Sequence, residues 1–109
     1  NLRNLEFLHI AICPNITAEG FQHLAKIPKL KTIMAYDNIR ISNQGLGYLS
    51  ASKTLEGLDV ARCGKINGVG LNYLLRLPNP PSITVEGTGV TSAQAEEFMR
   101  KKPGSQVNY

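Results

Sequence analysis

The sequence predicts an α/β fold in which short strand–loop–helix units coil into a right-handed solenoid. The strands would form a parallel sheet on the concave face, with the helices on the convex face. Three observations carry that prediction. Cys13, Asn38, Cys63 and Thr88 stand 25 residues apart, and a period of about 20–29 residues marks units that stack into an elongated array. Neighbouring positions keep the same step: Leu8, Ile33, Leu58 and Ile83; Ile10, Ala35, Val60 and Val85; Ile16, Ile41 and Ile66. Each unit also passes from a two-residue alternation to apolar pairs three apart, the change from strand to helix. Handedness follows from the rule for crossovers between parallel strands.

The units are 5–29, 30–54, 55–79 and 80–104 of a single domain, 1–109. The first opens with Leu5-Glu6-Phe7-Leu8-His9-Ile10, and Leu8-His9-Ile10 alternates as a strand with one buried face. Ile33-Met34-Ala35 and Leu58-Asp59-Val60 write the same strand again. The Cys/Asn position follows, then an Ile, then Thr17, Ser42 or Asn67, residue types whose side chains cap helix N-termini. Helices are expected over about 17–26, 42–52, 67–76 and 91–102, with Phe21/Leu24, Leu46/Leu49 and Leu71/Leu74 turned to the core. Pro28 and Pro78 close their units, since proline cannot continue a helix. One such unit cannot bury its own apolar face, but stacked copies can.

The last unit departs from the pattern. Pro80 stands where Leu5, Leu30 and Leu55 stand, and the loop Thr88-Gly89-Val90 is one residue shorter before Thr91. Thr91-Ser92-Ala93-Gln94 reads as a capping box, and the helix runs into Lys101-Lys102-Pro103-Gly104 and a polar tail. Such an atypical final unit is expected of a terminal cap. At the other end Leu2 already holds the place of Ile27 and Leu77. The chain therefore reads as the C-terminal part of a longer array, with an open N-terminal edge through which it is expected to self-associate.

From Leu5 to Leu24 the residues spell Leu-x-x-Leu-x-Ile-x-x-Cys-x-x-Ile-Thr-x-x-Gly-Phe-x-x-Leu. This resembles the cysteine-containing class of leucine-rich repeats, and the resemblance covers nearly the whole chain. That class is typical of the substrate-receiving domains of F-box ubiquitin-ligase subunits and also occurs in bacterial and protozoan proteins. The resemblance implies a module for recognising proteins, as the substrate-receiving part of a ubiquitin ligase or as a pathogen effector. No F-box lies within the chain, and fold alone does not settle function.

The formal net charge of +4 invites a nucleic-acid reading. Placement argues against it: Lys26, Lys53, Arg76 and Arg100-Lys101-Lys102 recur at the expected last turn of each helix, where a cation suits the helix dipole. A nucleic-acid or anionic-surface binder using this basic edge remains the alternative function, and a purely structural repeat segment a third. No apolar run approaches a membrane span. Cys13 and Cys63 lie two units apart, about 10 Å at a strand spacing of roughly 4.8 Å, too far for a disulfide. Together with Asn38 and Thr88 they are expected to be structural, turning the loop after each strand. Unpaired thiols point to a reducing, intracellular compartment.

No spacing of Cys and His suits a metal, no cofactor is implied, and catalysis finds no support. His9 and His23 fall on a strand and a helix, and no acid completes a triad with His9 and Thr32. Asp59 and Glu86 would sit on an open sheet that cannot tune a carboxylate pair. The Gly64-x-x-x-Gly68-x-Gly70 run matches no phosphate loop. The outward strand positions are more informative. Phe7, His9, Ile12, Met34 and Tyr36 should form one largely apolar patch, with Asp37, Asp59 and Arg62 beside it. Aromatic residues and Met concentrate at interface cores, so a protein partner on this face is the expected function.

Overall fold

The computed structural model describes residues 2–13 and 15–109. Asn1, the first residue of the expected domain, and Pro14, in its first loop, lie outside them. A short 3-10 turn, Leu2–Asn4, leads into β1 (Phe7–His9) and α1 (Ala18–Leu24). There follow β2 (Thr32–Met34), α2 (Asn43–Leu49), β3 (Gly57–Asp59), α3 (Gly68–Tyr73) with a 3-10 continuation Leu74–Arg76, β4 (Ser82–Thr84), α4 (Ser92–Lys101) and β5 (Gln106–Asn108). The strands form one parallel sheet in chain order, β1-β2-β3-β4-β5.

The ladder register repeats the sequence period. Leu8, Ile33, Leu58 and Ile83 stand in line, each 25 residues after the last. Ladder hydrogen bonds run one residue past the strands, from the N–H of Ile10 to Met34, of Ala35 to Asp59 and of Val60 to Thr84. Their inward side chains join those of the helices in one core: Ile33, Leu58, Ile83 and Val107 from the strands, Phe21, Leu46, Leu71 and Phe98 from the helices. The helices thus cover one face of the sheet and leave the other open. Gly45 lets α2 lie close on α1, since a Cβ there would fall 2.9 Å from the Phe21 ring.

Three local expectations are corrected. The polar tail is a fifth strand: Val107 pairs with Ile83, and Gln106 donates to Pro81 as Ser82 donates to Glu56. The last interval is therefore 24 residues, because the shortened Thr88–Val90 loop brings the pattern round one residue early. The first three helices stop before their expected ends, because tight turns such as Lys26 N–H to His23 and Ser52 N–H to Leu49 close the final carbonyls. Lys26 and Lys53 consequently lie beyond α1 and α2 rather than in their last turns. Finally, Thr17 and Ser42 hold N-cap positions without making the side-chain bond. Glu19, in the first turn of α1, is held below the usual carboxylate range by its own backbone N–H and then by the Thr17 hydroxyl, with burial opposing. Asn67 and Thr91 do cap, the latter with the full capping box to Gln94.

Candidate functional site

Each of the first four strands is followed by a turn whose second residue is left-handed: Ile12 at φ 56°, Asp37 at 60°, Arg62 at 60° and Gly87 at 72°. Only the fourth is the residue that adopts this conformation without steric cost. The next position anchors the turn. Asn38, buried, accepts from the Cys13 N–H at 2.6 Å and donates to the carbonyls of Ile10 at 2.9 Å and Ala35 at 2.8 Å. Cys63 donates its Sγ–H to Ala35 at 3.4 Å, and the Thr88 hydroxyl donates to Val85 at 2.6 Å. Cys13 reaches Ala11 at 3.6 Å and stays half-buried because β1 is an edge strand. Both thiols are free, and burial pushes that of Cys63 up.

On the open face these turns deliver a cluster around Tyr36. His9 and Met34 are register partners on β1 and β2. His9 Nε2 lies 3.1 Å from the Tyr36 hydroxyl, with the two rings 5.5 Å apart and tilted by 46°. Across the Tyr36 ring the Arg62 guanidinium stands 5.7 Å from the centroid, within cation–π range. That same guanidinium grips Asp37 with both arms, Nε to Oδ1 at 2.6 Å and a terminal nitrogen to Oδ2 at 2.9 Å. Arg62 holds the Asp37 carboxyl below its usual range by hydrogen bonding, and burial opposes this. Tyr36 is therefore fixed from two sides before any partner arrives. Phe7, on β1 opposite Thr32, is 56 % exposed, and Ile12 is 69 % exposed.

Of the expected site residues, His9, Met34, Tyr36, Asp37 and Arg62 share this face, joined by pairing or direct contact, and Phe7 stands on β1 opposite Thr32. Ile12 is tied in through its backbone N–H, which donates to the Tyr36 carbonyl at 3.2 Å. Asp59 stands one strand further, its Oδ1 accepting from the Ala61 N–H at 3.0 Å. It lines a hollow of about 400 Å³ centred on Gly57 with Thr32, Met34, Glu56, Ser82 and Thr84. That hollow was not anticipated. Its signal was the lone glycine in the outward row Phe7, Thr32, Gly57, Ser82.

The basic edge is partly engaged within the fold. Arg100 and Lys101 pair with Glu97, Lys102 Nζ donates to the Leu75 carbonyl at 3.1 Å, and Arg76 stacks on Tyr73 at 5.9 Å. Among the described residues no group of three or more His, Cys, Asp or Glu could hold a metal ion. Among the described residues no helix is long and apolar enough to cross a membrane. Comparison with models of known protein families finds no match.

Proposed function

We propose that this chain is a right-handed leucine-rich-repeat solenoid whose concave sheet recognises a protein partner. The 25-residue ladder register, the recurrent Cys/Asn anchor after each strand and the parallel order of the strands support the solenoid reading. One observation carries the recognition reading: a central tyrosine held by His9 and Arg62, with Phe7 and Ile12 exposed at the same edge of the sheet. A rigid aromatic anchor binds at low entropic cost, and exposed apolar area next to such an anchor is characteristic of interfaces.

The test compares two faces. Tyr36→Ala or Met34→Glu should weaken capture of a protein partner by about 2 kcal/mol or more, roughly thirtyfold in affinity, and leave the thermal midpoint nearly unchanged. The control is Lys26→Glu with Lys53→Glu, because these lysines make no ion pair among the described residues whereas Lys101 and Lys102 are engaged. Binding lost with the lysine changes and kept with Tyr36→Ala would move the site to the basic edge and overturn this reading. A steep fall of binding with salt would point the same way.

A further inference from the structure

Gly57 occupies the outward position of the central strand, between Thr32 and Ser82. The backbone does not require glycine there, since Gly57 is absent from the positive-φ residues. No backbone atom blocks a side chain either: an added Cβ would meet only the Thr32 side chain, tightly at 3.3 Å, and Thr32 would have to yield by a few tenths of an ångström. Glycine weakens a strand interior, and where the fold does not need one it marks the close approach of another molecule. The missing side chain is what opens the hollow beside Met34.

The walls of the hollow define what fits. Glu56 makes no ion pair among the described residues. Asp59 accepts one backbone hydrogen bond through Oδ1. Lys31, beside Glu56 at the start of the neighbouring strand, pairs with Glu6, and Arg62 has its guanidinium committed to Asp37. Hydroxyls of Thr32, Ser82 and Thr84 complete the lining. The chain carries a net charge of +4, yet Glu6, Asp37, Glu56, Asp59 and Glu86, five of its eight acids, lie on the strands or the turns flanking them. Lys31 and Arg62 lie in the same segments. These stretches thus carry five acids against two bases, a formal excess of three negative charges on a chain that is positive as a whole. A partner covering it with neutral groups would leave two carboxylates desolvated and unpaired, which is costly.

We propose that the Gly57 hollow receives an arginine or lysine side chain presented by the protein bound on this face. The proposal rests on the recognition reading above and adds the chemistry of the partner. The cation pairs with Glu56 and Asp59 through charge-assisted hydrogen bonds, its methylene stem lies along Met34, and the neighbouring apolar residue of the same segment meets Tyr36 and Phe7.

Random dodecapeptides displayed on phage and selected on the 109-residue chain supply the probe. Selected peptides should share Arg or Lys at a fixed spacing from an apolar or aromatic residue. A synthetic consensus peptide should lose about tenfold or more in affinity when its cation is replaced by a neutral isostere. Gly57→Val, which fills the hollow, and the pair Glu56→Gln with Asp59→Asn should cause losses of the same order. The thermal midpoint of Gly57→Val should stay at or above that of the parent, and a lower midpoint would show that the fold needs this glycine and overturn the proposal. Peptides weakened by Tyr36→Ala that carry no cation, or that ignore Gly57→Val, overturn the cation site and leave the recognition reading standing. If no peptide responds to Tyr36→Ala or Gly57→Val, both fail.

Discussion

Replacing Asn38 by Ala removes three hydrogen bonds at once and tests how far one side chain holds two units together. Its carboxamide accepts from the Cys13 N–H and donates to the Ile10 and Ala35 carbonyls, at 2.6, 2.9 and 2.8 Å. At about 1 kcal/mol for each lost bond, with a further penalty for each buried group left unpaired, the full cost would exceed 3 kcal/mol. Two discounts apply. The bonds to Cys13 and Ile10 are only partly buried, so water can replace them, and the Ala35 carbonyl keeps the Cys63 thiol as a donor. The expected loss is therefore about 2–4 kcal/mol, read from urea unfolding followed by far-UV circular dichroism with an unchanged m-value. Asn38→Cys, which copies the residue at 13 and 63, should cost less, because one thiol donor survives. Asn38→Asp keeps the acceptor but turns a carboxylate towards two carbonyls. This raises its folded pKa, so its deficit should grow as pH rises through about 4 and shrink below it. A loss below about 1 kcal/mol for Asn38→Ala would refute the anchoring role.

Two further outcomes follow from the turn and the ion pair. Ile12 is a β-branched residue at φ 56°, where most side chains clash, so Ile12→Gly should stabilise the fold by about 1 kcal/mol; an unchanged or lowered unfolding midpoint would show that this turn is unstrained. Because Arg62 depresses the folded pKa of Asp37, that contribution is complete above the unfolded carboxylate pKa and is lost as pH falls through the folded value. Carboxyl carbon NMR should place the Asp37 midpoint below about 4 and return it to the ordinary range in Arg62→Gln; no change in that variant would mean the pair is not populated in solution.

Much of the architecture was legible because stacking copies one local pattern many times. Leu8, Ile33, Leu58 and Ile83 could be aligned by eye, and the pairing places them in line. The outward placing of Phe7, His9 and Met34 followed from strand alternation. The fifth strand was hidden by a single-residue deletion. Gln106-Val107-Asn108 is too short and too polar to declare a strand locally, and only the open edge of β4 gives it partners. Helix ends were overestimated because apolar periodicity continues through 3-10 turns such as Leu74–Arg76.

What the sequence by itself determined was the period, and with it which side chains face the core and which face out. A two-residue alternation and an i, i+3 pairing are local rules that survive without knowledge of any neighbour. The tertiary structure alone decided what the outward residues do to one another. The left-handed turns aim Asp37 and Arg62 across the ladder, so that a guanidinium lies over the Tyr36 ring while gripping a carboxylate one strand away. A glycine becomes a hollow only once its flanking strands set Thr32 and Ser82 at its sides. These are contacts between residues 25 or 26 positions apart, and their geometry depends on how the strands stack rather than on any stretch of chain read alone.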